Sequence, residues 1–163
     1  MGVYCLFCNR IKLLYENNMS KKSLEENIKK FGWQCQYVFD PNSEREDFSY
    51  SIGFEESYGH PEIMIFGLKK ETMHSVLSDI ADEIKNGKVF EPNKKTLGVL
   101  SGDYEVIFKP LLDSYLSEYA GIASDYYSSQ FRVYIMLWPD KNNVLPTDNN
   151  CELTVQNEAL KIV

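Results

Sequence analysis

Phe48-Ser49-Tyr50-Ser51-Ile52-Gly53-Phe54 is followed, four residues on, by Gly59-His60-Pro61-Glu62-Ile63-Met64-Ile65-Phe66. The first segment alternates its side chains with period two, the signature of a strand. Ser57-Tyr58-Gly59-His60 reads as a turn. Pro61 can open the strand at residues 62–66, because a first strand position tolerates the loss of a ladder donor. Strands this close in sequence favour an antiparallel or mixed sheet over a doubly wound parallel one.

Working outward, Trp33, Cys35, Tyr37 and Phe39 alternate with Gln34, Gln36 and Val38, which predicts a half-buried strand ended by Asp40-Pro41-Asn42-Ser43. Ahead of it, Ser23-Leu24-Glu25-Glu26 has the form of a capping box, Leu24, Ile28 and Phe31 make one apolar stripe, and Gly32 suits a left-handed C-cap. A helix over 23–31 is expected. Downstream, Met73, Val76, Leu77, Ile80, Ala81 and Ile84 define the clearest amphipathic helix, stopped by Asn86-Gly87. Residues 88–103 read as loop with a short strand near 97–100. Residues 104–109 alternate again before Pro110, and 111–127 read as helix in two pieces around Gly121. The nearly continuous apolar run 131–138 suits a central strand covered on both faces. The tail from Val144 reads as loop, with a short strand at 152–155. The expectation is one α+β domain over 23–163, its sheet antiparallel or mixed with helices packed mainly on one face. Residues 1–22 form a lead-in that carries Cys5-x-x-Cys8.

Composition excludes several function classes. The 163 residues amount to about one domain. Seventeen Lys and Arg against 24 Asp and Glu give a net charge of −7, which argues against nucleic acid or an anionic membrane as the main partner. The longest uncharged apolar stretches are about six residues, far short of the roughly 20 that span a bilayer. The start, Met1-Gly2-Val3-Tyr4-Cys5-Leu6-Phe7, lacks the basic region of a secretory leader, so cytoplasmic residence is expected. Nucleotide-binding glycine loops, zinc-protease and serine-hydrolase signatures are absent, and no cofactor is expected.

Candidate chemistry centres on His60 and Glu62. An imidazole that titrates near neutrality, two residues from a carboxylate, would share a face in a strand and could act as acid and base or hold a ligand. The alternative is a rigid strand-entry turn. Ser49 and Ser51 share one face of the neighbouring strand and place hydroxyls near that pair. Tyr126 and Tyr127 precede the apolar strand that ends in Trp138. A pocket floored by Trp138, walled by Tyr126 or Tyr127 and rimmed by Asp140 is expected from that adjacency. Cys5 and Cys8 are half of a zinc site without a second pair, so they are weak metal candidates. His74 reads as a boundary residue beside the apolar stripe. The lysines around that helix read as a solvated face.

Phe48 to Phe54, Gly59-His60-Pro61-Glu62 and Phe66-Gly67-Leu68 together resemble the bacterial domain-of-unknown-function family 4262, which carries a Tyr-Thr-Ile-Gly-Leu-like strand followed by Gly-His-Pro-Glu. Phe31-Gly32-Trp33, Tyr126-Tyr127, Leu137-Trp138-Pro139-Asp140 and Gln156 are similar in order, and Cys5-x-x-Cys8 matches the opening of some members. The chain departs at Ser51 and Phe54, where the family usually has Thr and Leu. It also departs at Ile135, where the family commonly has glutamine, and at Asn143-Val144-Leu145-Pro146-Thr147, where a Gly-Arg-Phe-Pro-Trp run is frequent. The resemblance implies no established activity.

The resulting expectation is a module that binds a small ligand, nucleotide-like ligands included, or a protein partner, without catalysis. The residues offered for the site are Ser49, Ser51, His60, Glu62, Tyr126, Tyr127, Trp138 and Asp140. Two alternatives stand beside it: a hydrolase with His60 and Glu62 as acid and base, and a protein-interaction accessory factor in defence or stress.

Overall fold

A computed structural model describes residues 20–42 and 44–163. Helix α1 (Lys21–Phe31) leads into β1 (Gln34–Val38) and β2 (Phe48–Ile52); a short helix α2 (Phe54–Tyr58) precedes β3 (Glu62–Phe66), and the long α3 (Lys70–Lys85) follows. Then come β4 (Lys95–Thr96), β5 (Val106–Pro110), a 3-10 turn (Asp113–Tyr115), α4 (Leu116–Tyr119), α5 (Gly121–Tyr126), β6 (Val133–Leu137) and α6 (Asn157–Lys161). The strands form one six-stranded mixed sheet in the order β1-β2-β3-β6-β5-β4. All neighbours run antiparallel except β3 and β6, which pair in parallel from Glu62 opposite Val133 to Ile65 opposite Met136.

The alternation of β2 and β3 divides their side chains between two cores. Tyr50, Ile52, Met64, Phe66, Ile135 and Leu137 meet α1, α4, α5 and α6 on one face. Ile63, Ile65, Met136 and Phe108 meet the stripe Met73, Val76, Leu77, Ile80 and Ile84 of α3 on the other. More helices lie on the first face, as the sequence implied, but the longest covers the second. Every residue of β2 and β3 is therefore buried, Ser49, Ser51 and Glu62 included.

Several local expectations change. The N-cap of α1 is Ser20, whose hydroxyl accepts from the Ser23 N–H at 3.2 Å; Ser23 is three residues inside the capped turn instead of being the cap. Gly32, at φ +87°, is the left-handed C-cap. Helices α2 and α6, five residues each, are too short to show helical periodicity, and both read as turn or loop. No strand forms at 97–100, where the two-residue β4 ends just ahead at Thr96, and none forms at 152–155.

Candidate functional site

Glu62 opens β3 and is fully buried. Four donors converge on its carboxylate. The Ser51 hydroxyl donates at 2.5 Å, the Gly53 and Glu55 backbone N–H groups at 2.9 and 3.2 Å, and the Tyr127 hydroxyl supplies the fourth bond. Ser51 Oγ also accepts from the Ile63 N–H at 2.9 Å, which fixes its rotamer. The local sequence explains the convergence. Gly53 turns at φ +115°, and a Cβ there would lie 2.7 Å from the Gly32 carbonyl oxygen, so only glycine makes this exit from β2. The turn aims the first N–H groups of α2 at Glu62. A carboxylate from the next strand thus caps the helix, which has no side-chain cap of its own.

Burial raises the Glu62 carboxyl from its ordinary value to about 7, while the bonds from Ser51, Tyr127 and the backbone pull the other way. Burial and the Glu62 charge raise the Tyr127 phenol, so Tyr127 remains a donor. Beyond Tyr127 opens a cleft of about 920 Å³ between α1, α2 and the segment 126–130, lined among others by Lys29, Glu55, Glu56, Tyr126 and Gln130. Tyr126 stands edge-on to Tyr127, with ring centroids 5.0 Å apart, and donates to Glu56 at 2.5 Å. Arg132 grips Glu55 through Nε at 3.1 Å and Nη2 at 2.6 Å. Hydroxyls, amides and charges therefore share the lining with the apolar faces of the rings and of Ile28.

His60 does not join this centre. The strand begins at Glu62, so His60 lies in the α2–β3 turn, and the rule that residues two apart share a face does not reach it. Its Nδ1 donates to the Pro61 carbonyl at 2.7 Å, and its Nε2 accepts from the Phe90 N–H at 3.3 Å. The ring stands edge-on to Phe90 and Tyr134. Burial lowers its pKa, consistent with a neutral imidazole whose two nitrogens are both engaged. No hydrogen bond among the described residues joins His60 to Glu62.

Trp138 and Asp140 also stand apart. The β3–β6 pair separates them from Tyr126 and Tyr127, which pack at its Glu62 end on the opposite face from Trp138. The Trp138 indole N–H donates to the Phe66 carbonyl at 2.9 Å. Asp140 accepts from the Asn142, Val144 and Glu152 N–H groups at 2.8, 3.0 and 3.2 Å, a loop-closing role. Trp138 and Asp140 are not brought together with Tyr126 or Tyr127, because residues close in sequence are carried to opposite ends of a fully extended strand. Ser49 lies one face-repeat along β2 from Ser51 and lines a different groove. Cys5 and Cys8 lie outside the described residues, and no group of three or more His, Cys, Asp or Glu among the described residues can hold a metal ion.

Sequence reasoning did not single out Gly53, Glu55, Glu56 or Arg132. The signal was available: a glycine after a strand, followed by two acidic residues, is the opening of a helix first turn.

Fold and site define an α+β protein built on one mixed sheet, with a buried carboxylate tied through a tyrosine to an open polar cleft. The chain belongs to the family described as Domain of unknown function (DUF4262), whose model matches residues 27–152. Gly53, Glu62, Tyr127 and Arg132 all fall within that match. No curated protein and no solved structure matches the chain. Among the described residues no helix is long and apolar enough to cross a membrane.

Proposed function

We propose that this protein is a cytoplasmic module that binds a small polar ligand in the cleft over Tyr127 and performs no chemistry of its own. The observation that carries this reading is the connection between the cleft and the buried acid: the Tyr127 ring lines the cleft while its hydroxyl bonds Glu62. A cleft walled by Tyr126, Tyr127, Ser128, Ser129 and Gln130 offers many hydrogen-bonding groups beside the apolar faces of its rings and of Ile28, which favours ligands that join hydroxyl or amide groups to an apolar face. The acid–base alternative needs an imidazole within reach of the carboxylate, whereas both ring nitrogens of His60 serve backbone groups.

The test is a melting-temperature screen against polyols, sugars and amino acids at millimolar concentration. A ligand that binds the native state raises Tm, and at 100 times its Kd the gain is about 2.7 kcal/mol. The shift should disappear in Glu56→Ala or Tyr127→Phe and persist in His60→Ala. A screen without any shift, or a shift that survives both cleft variants, removes the cleft from the account.

A further inference from the structure

The four bonds at Glu62 share one polarity. Ser51, Tyr127 and the Gly53 and Glu55 N–H groups donate, and the carboxyl accepts each time. A carboxyl that gains a proton becomes a donor and needs an acceptor of its own. The partners differ in what they can offer. A backbone N–H has no lone pair to give. Among the described residues the Ser51 hydroxyl bonds only Glu62 and the Ile63 N–H, and it is fully buried. If it accepted from Glu62, its own proton would be stranded in the interior. The Tyr127 oxygen is an acceptor already, for it takes the Gly53 N–H at 3.0 Å, and that N–H is shared with Glu62 Oε1 at 2.9 Å. The N–H can rest on Oε1 alone, which leaves the phenol a lone pair for the acid. Tyr127 also lines the open cleft, so a proton turned away from Glu62 has an exit.

The charges around the pair are engaged elsewhere or stand across the cleft. On α2, Arg132 holds the Glu55 carboxylate and Tyr126 donates to Glu56. From β2 only the neutral Ser51 reaches the acid, and β6 places Val133 opposite it. His60, ahead of β3, serves backbone groups with both nitrogens. Asp125 of α5 is exposed, and α1 brings Lys21, Glu25 and Lys29 to the cleft's far wall. Glu62 is thus the acid that titrates behind Tyr127, with burial pushing it up to about 7, while the phenol is raised and keeps its proton.

We infer that the Tyr127 hydroxyl is a proton-controlled contact in the cleft wall, donating inward to Glu62 while the acid is ionised and turning its proton toward the cleft once Glu62 is protonated and donates to the phenol oxygen. One proton enters from solvent, none leaves the phenol, and no bond between heavy atoms changes. The outward O–H suits a carbonyl, ether or hydroxyl oxygen. Ligands that present such an acceptor bind more tightly as pH falls through the Glu62 midpoint, because their binding and the uptake of the proton favour the same state. That consequence rests on the cleft reading above, whereas the reversal of the bond does not.

Proton NMR of the wild-type protein, with no ligand added, tests the reversal. The Tyr127 Hη, assigned by its absence in Tyr127→Phe, should be a downfield, slowly exchanging resonance at pH 9. At pH 5 it should be lost to exchange with water, and the midpoint should coincide with that of the Glu62 carboxyl. Base catalysis of hydroxyl exchange runs in the opposite direction, so the trend is diagnostic. Ser51→Ala should retain the reversal, since the serine is outside its path. An Hη that stays protected on both sides of the Glu62 midpoint, one that is already lost at pH 9, or a reversal abolished by Ser51→Ala would each overturn the inference. None of these results bears on the melting screen for cleft ligands, and a screen without a hit leaves the reversal standing.

Discussion

The parallel pair β3–β6 ends in two polar constructions of different kinds. At one end Glu62 gathers Ser51, Gly53, Glu55 and Tyr127 around a buried acid next to an open cleft. At the other the neutral amide of Gln156 mimics one more strand residue: it accepts from the Trp138 N–H at 3.0 Å and donates to the Trp138 carbonyl at 2.7 Å. Both solve the same problem, the backbone groups left over where a ladder stops. An amide solves it without charge. A carboxylate must be taken out of water to do so, and it retains the ability to gain a proton. The Glu62 end therefore costs more to build and can respond to its surroundings, whereas the Gln156 end is a fixed joint.

Removing Glu62 should produce the largest effect. Glu62→Ala takes the acceptor from the Ser51 and Tyr127 hydroxyls and from the Glu55 N–H, while the Gly53 N–H keeps the Tyr127 oxygen at 3.0 Å, and at 1–3 kcal/mol per unpaired group the loss is about 4 kcal/mol. Urea unfolding measures it, and a loss under about 1 kcal/mol would mean that water replaces the carboxylate without penalty. The pH response comes next. With its folded pKa at about 7 against an ordinary 4.5, Glu62 holds a proton in the native state that the unfolded chain has released. Between those values stability falls as pH rises, by up to about 3 kcal/mol. Below 4.5 both states are protonated, and above about 7 both are ionised, so the slope vanishes outside that window. His60, lowered by burial, acts in the opposite sense, with stability lost as pH falls below its ordinary value. Glu62 is thus read from the difference between wild type and Glu62→Gln at pH 5 and pH 7.5. If the two proteins respond identically, the raised pKa is refuted.

Much of this contrast was legible in residue order, and the reasons for the failures are physical. Alternation placed β1, β2 and β5 because a half-buried strand must distribute side chains with period two, while Pro61 marked the start of β3 and a continuous apolar run marked β6. Glu62 stood out beside Pro61, yet its tie to Tyr127, 65 positions away, depends on how α5 returns to the sheet, which no local pattern encodes. His60 was read as sharing a strand face with Glu62, but the strand starts at Glu62 and His60 lies in the turn before it. Trp138 and Tyr127 appeared to be neighbours because eleven positions look short, but extended chain turns them into distance.

Breaking the Gln156 end should matter less than breaking the Glu62 end. Gln156→Leu keeps the bulk and leaves the Trp138 N–H and carbonyl without their amide partner, a loss of about 2 kcal/mol. It should carry no pH dependence between 5 and 7.5, because no titratable group has changed. Equal losses at both ends would remove the distinction between a responsive joint and a fixed one.

The smallest change sharpens the comparison most. Tyr127→Phe leaves Glu62 with three donors and keeps the ring stacked on Phe131, at 4.8 Å between centroids, so the stability loss near neutral pH should be about 1 kcal/mol. Its signature is elsewhere. The Tyr127 bond lowers the Glu62 pKa, so removing it should move the titration of Glu62 upward and extend the pH-dependent loss of stability above pH 7. Carbon-detected NMR of the Glu62 side-chain carboxyl follows that shift directly. An unchanged midpoint would mean that the phenol does not sense the charge on the acid behind it, and the cleft would then be a surface feature with no connection to the buried centre.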